Sequence, residues 1–102
     1  MKIMVFFDLP VTTKAKRKAY SKFRKNLISE GFSMLQFSVY VRTVRNNDDA
    51  RKYVSRVSSF LPSEGSVRIM TVTEKQFDSM QIVVGEKTME ENYLDTKDII
   101  EL

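Results

Sequence analysis

Ile3-Met4-Val5-Phe6-Phe7 is an unbroken apolar run, and it stops at a carboxylate, Asp8, followed by Leu9-Pro10. A strand with one wet face alternates apolar and polar side chains, whereas a run without alternation suits a strand covered on both faces. Such a strand must lie inside a sheet with a layer packed on each side. In a chain of 102 residues, one domain's worth, this restricts the fold to layered architectures with a central first strand. It also makes Asp8 conspicuous, because a charge at the lip of the most hydrophobic segment is costly to desolvate.

Pro10, Gly31, Pro62, Gly65 and Gly85 mark the element boundaries. Residues 2–8 read as the first strand and 13–30 as a helix, with Thr12 or Thr13 as N-cap and Gly31 as its stop. On that helix Ala19, Tyr20, Leu27 and Glu30 fall close to Phe23 on the wheel, and the apolar members form the buried face. Opposite lie Lys14, Lys18, Ser21 and Lys25, flanked by Arg17, Lys22 and Arg24. The stretch FSMLQFSVYVRTV is too rich in β-branched and aromatic residues for a helix. It predicts strands over 33–36 and 38–44, turning near Gln36-Phe37, with Val39 and Val41 on one face and Ser38, Tyr40 and Arg42 on the other.

Asn46-Asn47-Asp48-Asp49 suits a helix N-terminus, and Ala50, Tyr53, Val54, Val57, Phe60 and Leu61 follow at helical spacing until Pro62. SVRIMTVT, residues 66–73, predicts a fourth strand, Glu74 to Ser79 a short helical turn, and Met80, Gln81, Ile82, Val83 and Val84 a fifth strand. The rest is acidic and mostly loop, with a last short strand expected at Ile99-Ile100.

The expected fold class is therefore α+β, the ferredoxin-like β-α-β-β-α-β pattern with an appended C-terminal strand. Residues 1–85 would form the domain and 86–102 an acidic C-terminal segment. Both helices would cover one face of a four-stranded antiparallel sheet. The other face, offering Met4, Phe6 or Met70, carries too much apolar surface to stay wet. A homodimer packed sheet on sheet is the expected cover.

The chain contains no cysteine and no histidine. Disulfides, thiolate or imidazole zinc sites and His general bases are excluded, and any bound metal would be a hard, oxygen-loving ion such as magnesium or manganese. No apolar run approaches the ~20 residues of a membrane span, and Lys2 before a run ending in Asp-Leu-Pro does not resemble a secretory signal. A cytoplasmic protein with no membrane contact is expected.

Net charge is +4, but residues 1–62 hold 13 Lys/Arg against 4 Asp/Glu, a net +9, and residues 63–102 hold 4 against 9, a net −5. A basic body suggests a polyanionic partner. The cationic face of the first helix has few acids at i+4 to relieve it, and Arg42 and Arg45 extend the positive surface beyond the third strand. Lys14, Arg17, Lys18, Lys25, Arg42 and Arg45 are thus the residues expected to contact phosphate, through sequence-independent, salt-sensitive bonds. The aromatic signature of an RNA-recognition motif is absent from FSVYVRTV. Asp8 admits two readings: a turn-forming carboxylate bonded to loop amides, or one half of a symmetric pair that holds magnesium across a dimer axis.

VFFDLP, KRKAYSKFRKNL, SEGFSMLQFSVYVR and TVTEKQF, in this order and spacing, resemble the CRISPR-associated Cas-two family over essentially the whole chain, most of all its type II-A branch. The resemblance implies a ferredoxin-like homodimer that docks between dimers of the Cas-one integrase. There it would scaffold spacer acquisition along a short double-stranded DNA, the prespacer. It further implies that Asp8 matches the family's aspartate, catalytic and metal-binding, where a pair from two protomers is linked to a metal-dependent (Mg2+ or Mn2+) endonuclease activity on RNA or double-stranded DNA. Met80 to Val84 would match the strand that crosses to the partner's sheet. A toxin-like ribonuclease of the same fold is a third reading.

Overall fold

The computed structural model describes residues 1–85. β1 (Lys2–Asp8), α1 (Lys14–Ser29), β2 (Ser33–Gln36), β3 (Val39–Thr43), α2 (Asn47–Ser58), β4 (Ser66–Val72) and α3 (Glu74–Asp78) follow in that order. The sheet runs β2-β3-β1-β4 and every neighbouring pair is antiparallel, so the strand with the unbroken apolar run is central. This is the ferredoxin-like arrangement expected from the sequence.

Period-two alternation divides β1 between two cores. Ile3, Val5 and Phe7 point to the helices and pack with Phe23 and Leu27 of α1, Ala50 and Val57 of α2, and Tyr40 of β3. Met4 and Phe6 point to the opposite face, with Val39, Val41, Leu35 and Val72. The expected split of β3 holds for Tyr40, which joins the first core, and for Val39 and Val41, which join the second. Ser38 lies outside the strand, because the turn falls at Phe37-Ser38 rather than Gln36-Phe37 and gives Ser38 a φ of +65°.

That second face is partly covered from within the chain. α3 lays Phe77 against Met4, Val41 and Val72, and Met4 is buried without any partner copy. The helix is fixed by a Thr73–Gln76 capping box. Its first residue, Glu74, pairs with the ammonium of Lys2 and, at 3.0 Å, with the α-amino group of Met1. Lys2 is only 2 % exposed and also sits 5.0 Å from the Phe77 ring centroid.

Burial pushes the Glu74 carboxyl up, but the hydrogen bonds from Lys2 and the α-amino group outweigh it and hold the pKa below the ordinary 4.5. A carboxylate depressed in the folded state lends stability above its unfolded pKa and loses it as pH falls through the folded value. As pH falls below the ordinary carboxylate value of 4.5 the melting temperature should therefore fall more steeply in the wild type than in Glu74→Gln. Parallel curves would remove this ion pair from the acid response.

Besides shifts of one residue at the ends of α1 and β3, three boundaries differ from expectation. α2 ends at Ser58, short of Leu61, because the Ser58 and Ser59 hydroxyls donate to the carbonyls of Val54 and Arg56 and compete with the helix ladder. Thr73 belongs to the α3 cap rather than to β4. Met80 to Val84 form no strand among the described residues: they follow α3 as an exposed segment, Val83 and Val84 being 87 % and 92 % exposed. Ile99-Ile100 and the acidic segment 86–102 lie outside the described residues. Among the described residues no helix is long and apolar enough to cross a membrane.

Candidate nucleic-acid interface and the Asp8 groove

α1 starts just past the Asp8-Leu9-Pro10 turn, so it runs antiparallel to β1 along the back of the sheet. Thr13 caps it by accepting from the Lys16 backbone N–H at 3.2 Å. Its first turn contains no acidic residue. A helix N-terminus already carries partial positive charge, and here Lys14, Arg17 and Lys18 add to it, all exposed. Lys14, Lys18 and Lys25 recur on one outer stripe, and Lys22 is exposed beside them. At about 1.5 Å per residue the helix is about 24 Å long, so these charges form a line rather than a cluster.

The remaining expected phosphate contacts are placed differently. Arg17 Nη1 donates to the Val11 carbonyl at 3.1 Å, tying the side chain to the β1–α1 loop. Arg45 is 84 % exposed but lies on the β3–α2 loop, at the far end of the sheet from Asp8, with Nε 3.7 Å from Asp49 Oδ2. The hydrogen bond from the Arg45 backbone N–H holds Asp49 below the usual aspartate value.

Arg42 is turned inward. Its Nε donates to the Glu30 carbonyl (2.8 Å), Nη1 to the Thr43 carbonyl (2.7 Å) and Nη2 to Tyr53 Oη (2.7 Å), and the guanidinium lies 3.6 Å from the Tyr53 ring centroid. It joins the end of α1, β3 and α2, and its geometry is that of a structural clamp.

Asp8 closes β1 opposite Ser66, on the same face as Met4 and Phe6. It lies at the mouth of a shallow groove lined by Phe6, Phe7, Ser38, Val39, Ser66 and Arg68. Gly65 allows β4 to begin so close: its φ is +96°, and a Cβ there would meet the Asp8 carbonyl oxygen and Leu9 Cδ2 at 2.7 Å. The loop-amide bonds of a turn-capping aspartate do not form. Among the described residues the Asp8 side chain is exposed and takes part in no hydrogen bond or ion pair of the β1–α1 turn.

The groove's donors are all oxygens, the Asp8 carboxylate with the Ser38 and Ser66 hydroxyls nearby, which suits magnesium or manganese. Among the described residues no three acidic side chains gather to hold a metal. The described residues of one chain contribute a single carboxylate to this groove, so a pair of Asp8 side chains requires a second copy.

Arg68 was not among the expected site residues. It stands beside Phe6 on β4, and the alternation Arg68, Met70, Val72 is the signal that places it on the groove face.

The sequence matches the family model described as "CRISPR associated protein Cas2" over residues 1–80. It is 55 % identical over 85 residues to a "CRISPR-associated endoribonuclease Cas2" of Acidovorax ebreus, covering 83 % of each chain. It is 51 % identical over 90 residues to the protein of that name from Ligilactobacillus salivarius, covering 88 % of this chain and 89 % of that one. A third, from Treponema denticola, is 47 % identical over 96 residues, covering 94 % and 93 %. Among solved structures, Streptococcus pyogenes Cas2 superposes with a TM-score of 0.62 at 17 % identity, over 82 % of this chain and all of that one, a likeness of fold.

Proposed function

Because the chain belongs to the CRISPR-associated Cas2 family, we propose that two copies form a cytoplasmic scaffold that holds double-stranded prespacer DNA for the Cas-one integrase during spacer acquisition. The observation that carries this reading is the line of cations on α1, Lys14, Lys18 and Lys25, with Arg17 at its start, which no acidic side chain pairs among the described residues. Like charges along a helix that begins at its positive dipole end destabilise one another. A phosphate backbone relieves that repulsion and needs no base-specific contact. Arg45 would extend the line at the far end, whereas the clamp geometry of Arg42 takes it out of the phosphate set.

Dimerisation supplies the second half of the track. The groove half of the sheet keeps Phe6, Val39 and Leu35 only half-buried, and Met70 is 50 % exposed. Among the described residues β4 is an unpaired edge, and Met80 to Val84 follow as an exposed, mostly apolar segment whose composition suits adding a strand to a partner.

In this reading Asp8 does not act on DNA. A folded, dimeric Asp8→Ala protein is expected to support integration of a short duplex by the purified integrase within about two-fold of wild type, and omission of the protein should abolish it. Loss of integration by that variant would transfer the reading to the alternative below.

The alternative is a metal-dependent endonuclease acting on RNA or double-stranded DNA, and the placement of Asp8 favours it specifically: an exposed carboxylate across β1 and β4 from Arg68 in one groove. Two Asp8 residues would hold the cation, whose contribution when bound is to polarise a phosphodiester oxygen. Arg68 would orient the phosphate. Cleavage that persists in Asp8→Ala would belong to a contaminating enzyme.

A further inference from the structure

Phe37, at the tip of the β2–β3 turn, is 77 % exposed, which is unusual for a large aromatic side chain on a small domain. It is held in place. Its ring stacks on Tyr20 of α1, with centroids 6.2 Å apart and planes at 25°. Tyr20 in turn packs on Phe7 at 5.9 Å, and Phe7 meets Phe23 edge-on at 5.2 Å. Phe37 is therefore the outermost rung of an aromatic ladder rooted in the core. The turn beneath it is equally fixed: Ser38 adopts φ +65°, uncommon for a non-glycine residue, and its carbonyl accepts from the Phe7 N–H at 3.0 Å.

We infer that the Phe37–Tyr20 pair is a stacking platform for an unpaired nucleotide base. This rests on the nucleic-acid-binding role proposed above. Tyr20 stands on α1 one turn after Lys16 and Arg17 and one turn before Arg24; Lys16 Nζ lies 3.7 Å from Glu64 and Arg24 Nε donates to Tyr40 Oη, while both arginines stay exposed beside the platform. Lysine is depleted around the aromatic anchors of protein–protein interfaces, whereas rings interleaved with Lys and Arg are the arrangement used for single strands. Stacking on a ring is tolerant of base identity. The expected ligand is thus any single-stranded stretch, such as the frayed or overhanging end of a bound duplex.

The test compares a blunt DNA duplex, the same duplex with a short thymidine overhang, and a free oligonucleotide carrying a fluorescent purine analogue. Each is titrated against wild type, Phe37→Ala and Phe37→Trp. The overhang should tighten binding to wild type about five-fold or more. Phe37→Ala should lose that increment and the quenching of the free oligonucleotide while binding the blunt duplex as wild type does, and Phe37→Trp should keep both. An overhang that adds nothing, or an increment that survives in Phe37→Ala, overturns the inference. So does a shift in subunit association on Phe37→Ala with no change in stacking, which would make Phe37 a protein contact. Failure of every variant to bind blunt duplex would count against the scaffold reading alone, because the free oligonucleotide still decides the stacking.

Discussion

Replacing Arg17 and Lys18 together with glutamate is expected to weaken blunt-duplex binding by about 10- to 100-fold near physiological salt and to flatten its salt dependence. Both side chains are exposed near the start of α1, so the change leaves the core untouched. Each phosphate contact contributes about −0.9 to the slope of log K against log salt. Losing two contacts in each of two protomers should reduce its magnitude by roughly 2 to 4. Part of the effect comes from reversal, since a glutamate near the positive end of a helix is locally favourable but repels a phosphate. Arg42→Ala is the informative control. Its guanidinium bonds Glu30, Thr43 and Tyr53, so that variant should lose stability and leave the slope intact. Unchanged binding of the double variant across a salt titration would remove Arg17 and Lys18 from the track.

Phe23→Ala is expected to cost about 3–5 kcal/mol in denaturant unfolding at fixed protein concentration. Phe23 is 1 % exposed, edge-on to Phe7 at 5.2 Å and tilted against Phe60 at 5.7 Å. It is the main rivet between α1 and the sheet. Against a typical total of about 5–15 kcal/mol, this loss removes between about a fifth and all of the stability. The consequence reaches function, because the cationic line is only as straight as the helix that displays it. A cost below about 1.5 kcal/mol would mean that the neighbours collapse into the space and that α1 is held chiefly elsewhere.

The architecture was readable because its signals were periodic. The unbroken run in β1 marked the central strand, and Thr13, Phe23, Leu27 and Gly31 bounded and faced α1 as the structure places them. What escaped lacked periodicity. α3 has only five residues, too few for a helical pattern to reveal that Phe77 would shield half of the open face. Arg42 fell on the helix side by alternation, yet nothing local announces that its three partners arrive from α1, β3 and α2. At Asp8 the residue type fits a turn or a metal equally well, and nothing in the sequence around it announces that its side chain makes no bond to the turn among the described residues. Met80 to Val84 have the composition of a strand, but a strand is a relation between two segments, and within the described chain the second one is missing.

Gly65 gives the Asp8 end of the sheet an unusual kind of control. Because hydrogen alone fits between the two strand ends, any larger group there would act as a shim, levering β4 away and tilting the carboxylate without altering it chemically. The height and aim of that charge are thus set by a residue that has no side chain, from the neighbouring strand.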